Sequence, residues 1–82
     1  MNYIATFFSH FGAMRFHKLC GSAGWRSKPG RVPRDLSSSC GTCVRYEAGE
    51  DFLPCGEAPD ELEQIVEAAG NGYILKYRAG GS

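Results

Sequence analysis

The clearest fold signal in this chain is the strict alternation of side chains over residues 42–47, Thr-Cys-Val-Arg-Tyr-Glu. In an extended strand, every second side chain lies on the same face. Thr42, Val44 and Tyr46 therefore share one face, and the residues between them share the other. Because the apolar face should point towards a core, we predict a half-buried strand whose Cys43 points outward.

The segments around this strand predict the order β-α-β-β-α-β. Aromatic and β-branched residues at 2–8 favour a first strand. Ser9 can cap a helix whose apolar stripe includes Ala13, Phe16 and Cys20, and Gly24 can end it. Two prolines leave only a short edge strand within 25–33, and residues 72–77 predict the last strand.

Residues 59–70 predict a second helix. Pro59 suits the first turn, and the acidic residues that follow favour the positive end of the helix dipole. The apolar residues recur at helical spacing, and Gly70 can close the helix. They are Leu62, Ile65, Val66 and Ala69.

These elements predict an α+β fold of the ferredoxin-like type, with two helices on one face of a four-stranded antiparallel sheet. A chain of 82 residues has room for one hydrophobic core. We therefore expect one domain over residues 1–82, with residues 79–82 as a flexible tail.

The charge of the chain argues against binding to nucleic acid or membranes. The formal net charge is +0, although residues 15–45 are mainly basic and residues 47–67 are acidic. The aromatic pattern of RNA-binding sheets is absent. The first residues lack the basic start and the apolar length of a secretion signal, so we expect a cytoplasmic protein.

Residues 37–43 combine three serines with a Cys-x-x-Cys pair, Cys40 and Cys43. Cytoplasmic thiols stay reduced, so cysteines there indicate catalysis, metal binding or core packing. Exposed backbone N–H groups in the loop and nearby positive charge can stabilise a thiolate. The candidate thiol-activating or anion-binding residues are Arg34, Arg45, Ser38, Ser39 and Gly41.

A metal site is a weaker interpretation. Zinc normally has four protein ligands in a structural site, and only Cys40 and Cys43 form a close pair. Cys55 with either Cys20 or His17 would have to complete the set, and Cys20 suits the apolar core better. His10 and His17 lie on one flank of the first helix, either as solvated residues or as a base near the thiol. We expect neither a metal nor an organic cofactor.

The segment from Pro33 to Gly41, followed by a strand that ends Arg45-Tyr46-Glu47, resembles the selenium/sulfur carrier-like family of small bacterial domains. The opening residues 3–7, Ala13, Ala23-Gly24 and the predicted closing amphipathic helix also fit. The resemblance implies a ferredoxin-like fold and a cysteine, here Cys40, that carries sulfur or selenium. Two features depart from the family pattern: the thiol at Cys43 and the insertion of residues 51–57, which brings Cys55.

Together these observations predict a carrier or accessory protein rather than a stand-alone enzyme. Cys40 would accept a persulfide or selenopersulfide from a donor such as a cysteine desulfurase and pass it to an acceptor protein, with Cys43 as the resolving thiol. The alternative is a non-catalytic small-molecule-binding domain or a homodimeric interaction module. A structural zinc site is a third reading.

Overall fold

The computed structural model describes residues 1–80. Within them the chain forms one helix and five strands. In chain order these are β1 (Asn2–Phe7), α1 (His10–Ser22), β2 (Ser27–Arg31), β3 (Thr42–Glu47), β4 (Leu62–Ala69) and β5 (Gly72–Arg78). The predicted tail, residues 79–82, lies partly outside the described residues. Inside them, the Ala79 N–H donates a 2.8 Å hydrogen bond to the Glu63 carbonyl.

The five strands form one sheet in the order β2-β3-β1-β4-β5. Every neighbouring pair is antiparallel. β1 lies at the centre, where Ile4 is opposite Arg45 of β3 on one side and Val66 of β4 on the other. Strands β2 and β5 are the two edges.

The helix α1 forms as predicted. Ser9 caps it by accepting a 3.1 Å hydrogen bond from the Gly12 N–H. Ala13, Phe16 and Cys20 are buried and pack against β1, β3 and β4 in the helix-side cluster. The buried members of this cluster are Tyr3, Ala5, Phe7, Ala13, Phe16, Cys20, Val44, Tyr46, Leu62 and Ile65.

The ferredoxin-like prediction is wrong, because the segment expected to be a second helix is the strand β4. Leu62–Ala69 pairs with β1 along one side and with β5 along the other. The pairing satisfies its backbone N–H and C=O groups without a helix. The fold is therefore mostly β, with one helix on a five-stranded antiparallel sheet.

A β-bulge explains why β4 imitates helical spacing. Thr6 is opposite Gln64, but Phe7 is opposite Leu62, so Glu63 is an extra residue in β4. The extra residue places Leu62 and Ile65, three positions apart, in the same helix-side cluster. Val66 packs on the opposite face. The strand needs apolar side chains on both faces, so simple alternation is lost.

The connecting loops complete both faces of the sheet. Residues 48–61 bring Phe52, Leu53 and Ala58 against the helix-side cluster, where a second helix was expected. Residues 32–41 cross the opposite face, and we call them the thiol loop. Val32 and Leu36 of this loop pack against a second cluster, formed by Ile4, Cys43 and Val66.

Nothing in residues 1–80 is a helix with the length and apolarity needed to cross a membrane.

Candidate thiol site

Cys40 lies at the end of the thiol loop, just before β3, and is half-buried. It packs on the margin of the helix-side cluster. Gly41 follows with φ +76°, a conformation that glycine adopts without steric cost. The resulting turn brings the Thr42 N–H to 3.4 Å from the Cys40 Sγ. In the opposite direction, the Cys40 thiol donates to the Thr42 carbonyl at 3.7 Å.

The serines before Cys40 hold the thiol loop to the bulge of β4. Ser39 donates to the Glu63 carboxylate twice, from its N–H at 3.1 Å and from its hydroxyl at 2.8 Å. The Thr6 hydroxyl donates a third hydrogen bond, also at 3.1 Å. Burial on its own would raise the pKa of Glu63, but these hydrogen bonds outweigh it, and the pKa lies below its ordinary value.

Ser37 and Ser38 complete this attachment. The Gln64 amide donates a 2.8 Å hydrogen bond to the Ser37 carbonyl. The Ser38 hydroxyl is buried near Glu63 and helps to lower the pKa of that carboxyl, although no hydrogen bond of good geometry reaches its oxygen. Of the two serines predicted to bind an anion, Ser39 therefore binds a carboxylate of the chain itself.

Cys43 lies on the predicted face of β3, but the prediction that it points outward is wrong. Its side chain is fully buried, at 0% exposure, beneath Val32 and Leu36 of the thiol loop. Its thiol donates to the Arg31 carbonyl at 3.3 Å. Burial raises the pKa of Cys43, and the charge of Arg45 offsets only part of that effect.

The two thiols of the Cys-x-x-Cys pair belong to different environments. Cys40 packs against the helix-side cluster, whereas Cys43 packs in the cluster on the opposite face. Both are free thiols. A disulfide between them requires the side chains to approach within about 4 Å at Cβ, and the burial of Cys43 under the thiol loop opposes this.

The remaining predicted residues are spread over the molecule. Arg34 and Arg45 are exposed, and Arg45 acts on the pKa of the buried Cys43. Cys55 is exposed, whereas Cys20 is buried. Burial raises the pKa of Cys20 to about 11, despite a hydrogen bond with Ser27 that lowers it. Among residues 1–80, no three potential metal-binding side chains come together.

The two histidines have different neighbours. The His10 Nδ1 lies 3.3 Å from the Thr42 hydroxyl, directly beside the turn that carries Cys40. The His17 Nδ1 lies 2.6 Å from the Ser27 hydroxyl, on the β2 side of the helix. His10 is thus the histidine whose contacts reach the thiol turn.

The sequence did not reveal the roles of Glu63 and Thr42. The sequence pattern places Glu63 near the start of a helix, and only strand pairing brings it to Ser39, 24 positions earlier. Thr42 was read as an inward residue of β3, whereas its N–H and hydroxyl link Cys40 to His10. The one sequence feature that indicates this turn is Gly41, because glycine readily adopts the positive φ that turns the chain and directs the Thr42 N–H towards Cys40.

Comparison with known proteins gives one match. No curated protein matches the chain, and no solved structure matches it. A family model does match, over residues 2–53. This range includes β1, α1, β2, the thiol loop and β3, and it ends before Cys55. Since the match covers more than half of the chain and agrees with the resemblance seen in the sequence, the chain belongs to the family described as "Putative Se/S carrier protein-like".

Proposed function

We propose that this protein is a sulfur or selenium carrier in which Cys40 holds the cargo atom between a donor protein and an acceptor protein. Cys40 would receive a persulfide or selenopersulfide from a donor such as a cysteine desulfurase. The family to which the chain belongs supports a carrier role in general. The choice of thiol and the direction of transfer are our inference from the site.

The accessibility of the cysteines is the observation that carries this proposal. Three cysteines lie within the family match, residues 2–53. Cys20 and Cys43 are buried, and only Cys40 is partly accessible. A carrier thiol must reach the persulfide of another protein, so Cys40 is the one that can act without a rearrangement of the core.

The transfer needs no added oxidant. The Cys40 thiolate attacks the terminal sulfur of the donor persulfide, and a new S–S bond forms at Cys40. The S–S bond of the donor breaks, and the donor cysteine leaves as a thiolate. The Thr42 N–H, 3.4 Å from Sγ, is the backbone donor that faces the sulfur before attack and again when the cargo leaves.

Release can follow by the same chemistry. A nucleophile of the acceptor attacks the terminal sulfur, and Cys40 leaves as a thiolate. In a second route, the Cys43 thiolate attacks the Cys40 Sγ, expels hydrosulfide and leaves a disulfide that an external dithiol must reduce. Because Cys43 is buried under the thiol loop, this route requires the loop to lift. Direct transfer is therefore the route that the folded site supports better.

The test is transfer of labelled sulfur from a cysteine desulfurase supplied with 35S-cysteine. We expect the wild-type protein and Cys55→Ser to gain one labile sulfur, visible by intact mass and lost on reduction. Cys40→Ser should gain none. Cys55→Ser is the matched control because Cys55 is also accessible but lies outside the family match.

Full labelling of Cys40→Ser would overturn the proposal. It would also be overturned if Cys55→Ser lost its labelling while Cys40→Ser kept it. Thermal unfolding of each variant shows whether it is folded. The variant Cys43→Ala separates the two release routes. If this variant still passes sulfur to an acceptor thiol, release occurs by direct transfer. If it retains the cargo, Cys43 is the resolving thiol.

A further inference from the structure

A groove lies on the sheet face opposite the helix, at the end of β3 away from the thiol loop. It has a volume of about 440 Å³. Arg45 lines it and lies three positions after Thr42, the first residue of β3, roughly 10 Å along the strand. The thiol loop covers Cys43 at the other end of this face. The groove and the thiol loop therefore occupy different ends of this face, although the charge of Arg45 also acts on the pKa of Cys43.

Three cations surround the groove: Arg26, which immediately precedes β2, Lys28 from β2 and Arg45 from β3. All three are exposed, and none forms a salt bridge within residues 1–80. Glu47 also lines the groove, but its carboxylate does not pair with them. The groove consequently has an excess of positive charge that the chain does not neutralise.

In the absence of a bound anion, the positive charges of Lys28 and Arg45 repel each other and destabilise this part of the sheet. The two residues are directly opposite each other in the β2–β3 pairing. Like charges at opposed positions on one face of a sheet repel and destabilise the pair. A bound anion would remove this repulsion, and both side chains can donate several hydrogen bonds to a phosphate or carboxylate.

The floor of the groove offers apolar contact beside these cations. Ile4 and Ala68 both line it, and Ile4 is opposite Arg45 in the β1–β3 pairing. A volume of this order is typical of sites for small organic molecules. The polar side chains of Asn2 and Glu47 at the same groove can bind a hydroxyl or amino group.

We propose that this groove binds a small organic anion, with its phosphate or carboxylate between Lys28 and Arg45 and its apolar body over Ile4 and Ala68. The site does not depend on the carrier role of Cys40. It gives the chain a second, ligand-binding function at the opposite end of the same strand.

Phenyl phosphate is a suitable probe because it joins one phosphate to one apolar ring. Titration of the 15N-labelled protein at constant ionic strength should give saturable shifts of the Ile4, Lys28 and Arg45 amides. Phenyl phosphate should bind about tenfold more tightly than inorganic phosphate, the effect of removing roughly 60 Å² of apolar surface from water. Arg45→Glu should weaken phenyl phosphate binding at least tenfold.

Lys18→Glu is the matched control, because it makes the same charge change at an exposed position of the helix that does not line the groove. It should bind phenyl phosphate as the wild type does. The proposal is overturned if the shifts do not saturate, if Lys18→Glu weakens binding as much as Arg45→Glu, or if Arg45→Glu binds unchanged. Cys40→Ser should bind phenyl phosphate as tightly as the wild type does. The groove proposal is therefore tested independently of the carrier role of Cys40.

Discussion

Glu63 accepts two hydrogen bonds from Ser39, one from the backbone N–H at 3.1 Å and one from the hydroxyl at 2.8 Å. The pair joins the β4 bulge to the residue immediately before Cys40. It also holds closed the loop that covers Cys43. Glu63 therefore helps to position the accessible thiol and to cover the second one, together with Gln64, which donates to the Ser37 carbonyl, and Tyr73, which donates to Asp35.

Replacing Glu63 with Gln should destabilise the protein by about 1 to 2 kcal/mol. The uncharged amide cannot accept hydrogen bonds from Ser39 and Thr6 as strongly, and hydrogen bonds to charged groups contribute more than neutral ones. Urea unfolding at pH 7 measures the loss. Glu57→Gln is the control, since Glu57 is exposed and should change stability by less than about 0.5 kcal/mol. Equal effects of the two substitutions would contradict the role of Glu63.

The same carboxylate should make stability depend on pH in the acid range. The folded-state pKa of Glu63 lies below its ordinary value of 4.5, so the folded protein binds fewer protons than the unfolded chain near that pH. The stabilisation is complete above the unfolded pKa and is lost as the pH falls through the lower folded pKa. The stability difference between wild type and Glu63→Gln should therefore shrink from pH 6 to pH 3. A difference that grows over this range would contradict the assignment.

The four thiols should react in an order set by burial. We expect Cys55 and Cys40 to react first with a small alkylating reagent at pH 8, and Cys43 and Cys20 at least about 100-fold more slowly, since their exposure needs an opening of about 3 kcal/mol. Burial also raises the pKa of both slow thiols, which reduces their thiolate fraction. Peptide mass mapping over time gives the four rates.

The thiol loop makes a sharper form of this test possible. In Glu63→Gln the loop should open more often, so the labelling rate of Cys43 should rise about tenfold while that of Cys20, on the buried face of the helix, stays unchanged. If both buried thiols accelerate equally, global unfolding accounts for the result and the local role of Glu63 is refuted.

The sequence predicted those elements whose signals are local. Ser9 caps α1 and the stripe through Phe16 is buried, as expected. The strand β3 also keeps the predicted faces, with Val44 and Tyr46 in the helix-side cluster and Cys43 on the other side. In each case, the spacing of residues within one helix or strand is enough to determine which side chains are buried.

The failures have a common physical cause, which is pairing between distant segments. Leu62 and Ile65 share a face only because Glu63 bulges against β1, and nothing between residues 59 and 70 reveals that partner. The burial of Cys43 depends on Val32 and Leu36 crossing the sheet. The motif identified Cys40, but the groups that hold its loop come from β1 and β4.

Gly41 should be the most sensitive small residue of the thiol site. Its φ of +76° costs an L-residue roughly 1 to 2 kcal/mol, although a methyl group there would meet no atom within 4 Å. Gly41→Ala should therefore destabilise the protein by about 1 kcal/mol through backbone strain alone, and it should displace the Thr42 N–H from Cys40. We expect urea unfolding to show the loss. Gly49→Ala is the control, because Gly49 has equal space but no positive φ; the same loss there would refute the strain argument.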